Sequence, residues 1–228
     1  MTNNSRTQAV MLVAQYVHAR RLDHPVRVAV DGVTASGKTT LANELSEMLS
    51  KLGRSAHRLS MDGFHHPRAR RYRQGRNSAL GYYEDAYDFV SLAGHVLIPL
   101  GPGGDHRYTR AVIDLASDTP VDEPTVQLQQ SAVLIVDGTF LQKPEIADLW
   151  DTTIFVHTSL DVARRRGVAR DAEALGGNEQ ADNAFKVRYH AASQMYLDEV
   201  RPAERASLVF DNDDLDHPSV RMAHPESP

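Results

Sequence analysis

Apolar positions along the chain follow two rhythms, one of helices and one of strands. Val10, Val13, Ala14 and Val17 recur at helical spacing and predict an amphipathic helix over residues 7 to 20. After Pro25 the short run Val26-Arg27-Val28-Ala29-Val30 predicts a strand; a glycine-containing turn follows, then a helical pattern from 38 to 52 that Gly53 ends. Residues 56 to 61 read as a weaker second strand that delivers Asp62-Gly63-Phe64 at its carboxyl end. A polar, arginine-rich stretch runs to Gly81, and a helical pattern then covers 85 to 100, with Glu84 or Asp85 near its start and Pro99 near its stop. The glycine-rich segment 101 to 105 marks a turn, and 107 to 115 reads as a hairpin strand. Ala132-Val133-Leu134-Ile135-Val136 has the pattern of a strand buried on both faces. A strand at 153 to 157, a helix from 160 to 175, a break at Gly176-Gly177, a helix from 181 to 200 and a strand at 207 to 210 complete the series. Beyond Asp211 the chain is polar with three prolines, so residues 213 to 228 are expected to form a flexible tail.

Strands alternating with helices, each strand apolar on both faces, predict a mostly parallel sheet with helices on both sides. Ligands of such sheets bind at the carboxyl ends of the strands. A length of 228 residues with 41% hydrophobic content suits one domain spanning 1 to 228. With no cysteine there is no disulfide framework, thiolate metal site or cysteine nucleophile. The net charge of -5 argues against a dedicated nucleic-acid binder. Apolar runs fall far short of the roughly 20 residues needed to span a bilayer, and no cleavage site follows the N-terminal apolar stretch, so the expected setting is cytoplasmic, away from membranes.

Gly32-Val33-Thr34-Ala35-Ser36-Gly37-Lys38-Thr39 fits G-x-x-x-x-G-K-[ST] between a predicted strand and a predicted helix, the context a P-loop requires. Glycines let the backbone wrap a polyphosphate, and successive N–H groups with the helix N-terminus supply positive potential. Gly32, Thr34, Ala35, Ser36, Gly37, Lys38, Thr39 and Thr40 are therefore the expected phosphate-binding set, with Lys38 on the outer phosphates and the Thr39 hydroxyl on Mg²⁺. Asp62 and Asp137 each follow an apolar strand and should emerge at the same sheet edge as the loop. Asp137 stands at a Walker B-like position, and Asp62 is placed to take a proton from an incoming hydroxyl or to share the metal. The alternative for both is a capping role at the next turn.

On these motifs the sequence resembles the uridine kinase, phosphoribulokinase and bacterial pantothenate kinase group of P-loop kinases. The matching stretches are VDGVTASGKTTLA at 30 to 42, MDGFH at 61 to 65, EDAYD at 84 to 88, LIVDGTF at 134 to 140 and RRRGVARD at 164 to 171. The resemblance implies a P-loop NTPase three-layer sandwich with a small helical lid at about 164 to 180. It implies ATP-dependent phosphorylation of a small-molecule hydroxyl, with Asp62 as base and Asp137 as the metal-associated acid. Arg166 and Arg170, one helical turn apart, are expected to close over the triphosphate from the lid. Relatives are often oligomeric, so a homo-oligomer is expected by analogy only.

The acceptor side departs from the uridine kinase pattern. Tyr82 and Tyr83 stand where an acidic residue is typical, Ile113-Asp114 is followed by Asp118 rather than His, and the lid sequence is replaced by Glu173-Ala174-Leu175-Gly176-Gly177. Phe64, His65, Tyr82, Tyr83, Tyr87 and Tyr108, with Asp85 and Asp114, are the candidate acceptor residues, and the aromatics among them are equally readable as core. The cluster Arg68, Arg70, Arg71, Arg73 and Arg76 reads either as a solvated loop or as a site for an acidic acceptor. The leading expectation is a nucleoside kinase of the uridine or cytidine type using MgATP. The alternatives are a kinase of pantothenate, a sugar or a phosphosugar, and a P-loop ATPase used as a regulatory switch.

Overall fold

The computed structural model describes residues 5–223. In chain order the elements are α1 (Ser5–Ala19), β1 (Val26–Gly32), α2 (Lys38–Lys51), β2 (Ala56–Ser60), α3 (Arg68–Arg71), α4 (Ala79–Asp85), α5 (Phe89–Leu92), β3 (Arg107–Tyr108), β4 (Ile113–Asp114), β5 (Thr119–Pro120), β6 (Val126–Gln127), β7 (Val133–Gly138), β8 (Thr152–His157), α6 (Leu160–Leu175), α7 (Asn178–Ala184), α8 (Ala191–Val200), α9 (Pro202–Arg205), β9 (Leu208–Asp211) and β10 (Ser219–Met222). A 3₁₀ turn at Met61–Phe64 follows β2, and π-helical segments at Ala93–Leu97 and Phe185–His190 extend α5 and join α7 to α8.

The central sheet has the order β10-β9-β8-β1-β7-β2. All its pairs are parallel except that of β9 with the edge strand β10. Side chains on successive strand residues point to opposite faces, and the sequence uses this period. Val26, Val28, Val30, Val133, Ile135, Ile154, Val156, Leu208 and Phe210 join α1 and α2 in one core, while Ala29, Leu134, Val136, Phe155 and Val209 join the helices of the other face. Because β1, β2, β7, β8 and β9 run the same way, Gly32, Ser60, Gly138, His157 and Asp211 all end at one edge.

Three sequence expectations need correction. The helix expected over 85 to 100 begins later: Asp88 caps it by accepting from the Ser91 amide at 2.9 Å, and Asp85 ends the separate helix α4, which Ser78 caps. Residues 107 to 115 do not form one hairpin strand, because β3 pairs with β6 and β4 with β5. The tail expected to be flexible from 213 on is ordered through β10, whose backbone pairs with β9; residues 224–228 lie outside those described.

Candidate active site

The first glycine of the phosphate loop ends β1 against β8. A Cβ at Gly32 would meet the Ser36 hydroxyl and the Val156 carbonyl, each at 2.7 Å, so the turn closes only around glycine. Gly37, at φ 100, is the residue before α2, in a conformation that L side chains rarely adopt. The chain's far end locks this loop: the Asn212 amide and the Thr158 hydroxyl both donate to the Ser36 carbonyl, at 2.7 and 3.1 Å. Inside the loop, the hydroxyls of Thr34 and Ser36 are buried without partners. The Lys38 ammonium donates to the Val33 carbonyl at 2.8 Å, and burial pulls its pKa down to about 8 against the attraction of Asp31 and Asp137.

Asp31, inside the β1 run, is fully buried and accepts from Gln142 at 2.9 Å and from the Tyr196 hydroxyl; burial pushes its pKa up. Sequence reasoning missed it, although an acid inside an apolar strand is itself a signal.

The two strand-end carboxylates differ. Asp137 is 3% exposed, accepts from the Thr39 hydroxyl at 2.6 Å and is ion-paired with Arg58 of β2. The Asp62 side chain is 70% exposed and faces His65, with 3.5 Å from its oxygen to Nε2. His65 Nδ1 lies 2.8 Å from the Ala86 carbonyl, an acceptor only, so Nδ1 carries a proton and Nε2 is the nitrogen turned to Asp62. The His65 contact, with Lys38 and Arg170 helping against burial, holds the Asp62 carboxyl below its usual range.

A cavity of about 330 Å³ brings these groups together. Its lining includes Thr34, Ala35, Lys38, Thr39, Asp137, Arg170 and Asp171 from the loop, strand-end and lid segments, and Asp62, His65, Arg71, Tyr72, Tyr82, Tyr87, Leu115, Arg188 and Tyr189. A second cavity of about 160 Å³ shares Ala35, Lys38, Thr39 and Arg170 with it and adds Gly37, Thr40 and Arg166. Arg166 and Arg170 thus do sit on one side of the loop. Arg166 also donates to the carbonyls of Asn212 and Asp213 at 2.9 and 2.8 Å, and Arg170 is paired with Asp171 at 2.7 Å.

Of the acceptor candidates, His65, Tyr82 and Tyr87 line the larger cavity, and Phe64, Tyr83, Asp85, Tyr108 and Asp114 do not. Phe64 is fully buried in the core. Tyr83 is buried with its hydroxyl donating to Glu199 at 2.7 Å and the Lys143 ammonium 4.0 Å from its ring centroid. Tyr108 is 2% exposed and packs in the same core cluster. Asp114 is exposed and accepts from the Ala116 and Ser117 amides, each at 2.9 Å, so its carboxylate closes the turn after β4. Asp85, 1% exposed, accepts from Arg73 and Gln74, each at 2.8 Å; burial pushes its pKa up, and these two partners outweigh burial and leave it lowered.

In the arginine cluster Arg68, Arg70, Arg73 and Arg76 are exposed, as the solvated reading expects, and Arg71 departs from it. Arg71 is buried and paired with Asp118 at 2.8 Å, and Arg76 stacks 5.1 Å from the Tyr72 ring. Arg71, Tyr72, Leu115, Arg188 and Tyr189 come from separate segments, and no spacing in the sequence joins them.

The donors present suit magnesium. Thr39 and Asp137 offer adjacent oxygens, and among the described residues no group of three or more His, Cys, Asp or Glu gathers to hold a metal by itself. Mg²⁺ is bound in this way, by one or two protein oxygens together with phosphates and waters. Among the described residues no helix is long and apolar enough to cross a membrane.

The sequence model of the Phosphoribulokinase / Uridine kinase family matches residues 27–211. A uridine kinase from Leuconostoc citreum (strain KM20) is 27% identical over 190 residues, covering 82% of this chain and 86% of that protein. One from Clostridium botulinum (strain Okra / Type B1) is 23% identical over 192 residues, covering 83% and 88%. A solved structure described as a possible uridine kinase from Bacillus stearothermophilus superposes with a TM-score of 0.70 at 27% identity, over 90% of this chain and 98% of that one.

Proposed function

This chain belongs to the Phosphoribulokinase / Uridine kinase family, and on that premise we propose that it transfers the γ-phosphoryl group of ATP to a hydroxyl of a small molecule. The observation that carries this reading is the division of labour between two carboxylates in one cavity: Asp137 is buried under Arg58 and Thr39, whereas Asp62 is open to the space that the tyrosines line. Thr39 and Asp137 are the residues to hold Mg²⁺, which supplies charge neutralisation on the outer phosphates.

In the proposed reaction the triphosphate lies on residues 32–40, with Lys38 leaving the Val33 carbonyl for the phosphate oxygens. Arg166 and Arg170 close from the lid, residues 164–180, onto the same charge. Asp62 accepts a hydrogen bond from the acceptor hydroxyl. As the hydroxyl oxygen bonds to the γ-phosphorus and the bond from phosphorus to the bridging oxygen breaks, the proton passes to Asp62 and ADP leaves. Asp62 is suited to this because its carboxyl stays ionised at neutral pH. Positioning and electrostatics supply most of the acceleration in such transfers.

The wall formed by Tyr82, Tyr87, Tyr72 and Tyr189 supports a polar acceptor with a flat face, and the curated relatives make uridine and cytidine the first to test. Asp62→Asn should lower kcat by about 10² to 10⁴ with ATP affinity unchanged. Near-normal turnover in that variant would remove Asp62 from the mechanism.

A further inference from the structure

Among the described residues, one cation of the larger cavity has neither a carboxylate partner nor a place in the phosphate loop. Arg170 is paired with Asp171 at 2.7 Å and Arg71 with Asp118 at 2.8 Å, while Lys38 belongs to the phosphate loop. Among the described residues Arg188 has no carboxylate at ion-pair distance, and its Nε is buried without a hydrogen-bond partner. The Nε of Arg71, in the same cavity, is also buried and unpartnered.

Aromatic rings hold these two guanidinium groups in place. The Arg188 guanidinium carbon lies 5.1 Å from the ring centroids of both Tyr72 and Tyr82 and 5.5 Å from that of Tyr189. Arg71 lies 5.5 Å from the Tyr72 ring, so one tyrosine serves both. Such ring contacts leave guanidinium N–H groups free to hydrogen-bond, and although Arg71 also donates to Asp118 and Arg188 reaches the Tyr72 hydroxyl, the buried Nε of each has no partner. None of the three acids that line the cavity is at ion-pair distance from Arg188: Asp137 is paired with Arg58, Asp171 with Arg170, and Asp62 faces His65. A neutral nucleoside would leave this charge uncompensated in a partly desolvated site.

We propose that the acceptor carries an anionic group, a carboxylate or a phosphate, and that Arg188, with Arg71 beside it, binds that group while the acceptor's hydroxyl faces Asp62. This rests on the reading of the cavity as the acceptor site of a kinase. It departs from the neutral nucleoside in a stated direction: for two acceptors of like shape, the anionic one is preferred.

The test uses the whole protein loaded with Mg²⁺ and a non-hydrolysable ATP analogue, so that the phosphate loop is filled and an added anion must go elsewhere. Calorimetry then compares matched pairs: D-glycerate with glycerol, pantothenate with pantothenyl alcohol, and ribose 5-phosphate with ribose. The first two pairs report a carboxylate and the third a phosphate. At least one anionic member should bind tenfold or more tighter than its neutral partner, as expected for a charge-assisted hydrogen-bonded pair. Arg188→Gln should remove most of that preference, weakening the anionic member of a pair far more than the neutral one, and Arg188→Lys should restore part of it.

The inference is overturned if no pair shows a preference for the anion, or if folded Arg188→Gln protein keeps it. The wild-type pairs alone decide the matter if the glutamine variant does not fold. Turnover with MgATP on the same panel, with products identified by mass, separates the two claims. Anion preference with no phosphorylated product would overturn the kinase reading and leave the anion site standing. Phosphorylation of neutral acceptors in preference to their anionic partners would overturn the anion site and leave the kinase reading standing.

Discussion

The phosphate end of the cleft is built on one continuous segment, residues 32–39, with Asp137 delivered by the end of β7, while Asp62, just past the end of β2, faces the acceptor side. The acceptor end instead draws Arg71 and Tyr72 from α3 and its exit, Tyr82 from α4, Leu115 from the turn after β4, and Arg188 and Tyr189 from the π segment before α8. The first is chiefly backbone, shaped by Gly32, Gly37 and the Asn212 clamp, and in the proposed reaction its N–H groups and Lys38, with Arg166 and Arg170, meet the triphosphate. The second is side chains stacked on one another, where each residue's place depends on the packing of three helices. A site of the first kind fixes the reaction; one of the second kind fixes the partner in that reaction. Substitutions at the two ends should therefore change different quantities.

The largest expected separation comes from Lys38→Met, which should lower kcat by about 10² to 10³ for every acceptor alike, because it removes charge from the transferring group. Rates that fell for some acceptors and not others would show that the two ends are not independent. The next effect is on pH. Without nucleotide the Lys38 pKa is pulled down to about 8, so the lysine is charged below that pH and loses its proton above it. Phosphate binding needs the charged form, and ATP affinity should thus weaken as pH rises past 8, approaching roughly tenfold per unit, with proton uptake on binding seen by calorimetry in buffers of different ionisation enthalpy. Lys38→Met should abolish that dependence.

Asn212→Ala, which frees the Ser36 carbonyl from its 2.7 Å hydrogen bond, should weaken ATP binding by about fivefold and leave acceptor KM unchanged. The smallest effect belongs to the junction between the ends. His65→Phe keeps a ring beside Tyr87, whose centroid lies 4.3 Å from that of His65, but removes the contact that chiefly lowers the Asp62 pKa. Activity carried by ionised Asp62 is present above its pKa and lost as pH falls through it, so the acidic limb of the kcat/KM profile should move to higher pH. An unmoved limb would mean that another group sets it.

The same contrast explains what could be read from the sequence. The P-loop, the parallel sheet and the two strand-end aspartates were legible because local spacing dictates them: a β-branched run, a glycine turn and a capped helix are neighbours in the chain. The acceptor end was only partly legible. Phe64, Tyr83 and Tyr108 share an aromatic character with Tyr82 and Tyr87, and only packing separates core from cavity. Asp114 and Asp85 are spent on a turn and on Arg73, partners that no periodicity announces. Arg188 falls inside the helix expected over 181 to 200, in what the structure shows to be a π segment, and its lack of a carboxylate partner appears only when the carboxylates around the cleft have been assigned. The tail was misread because its polar composition hides the four-residue strand Ser219–Met222, whose order comes from pairing with β9.

The central claim is that this cleft joins a phosphate end to an acceptor end for transfer rather than for hydrolysis, and it is tested most directly by stoichiometry. The protein is incubated with MgATP and each acceptor in turn, and ADP, inorganic phosphate and phosphorylated acceptor are counted by mass. The account predicts one phosphorylated acceptor for each ADP and little ADP without acceptor. ADP and inorganic phosphate released equally with and without acceptor, and no phosphorylated small molecule, would contradict it and identify the site as a nucleotide-hydrolysing switch.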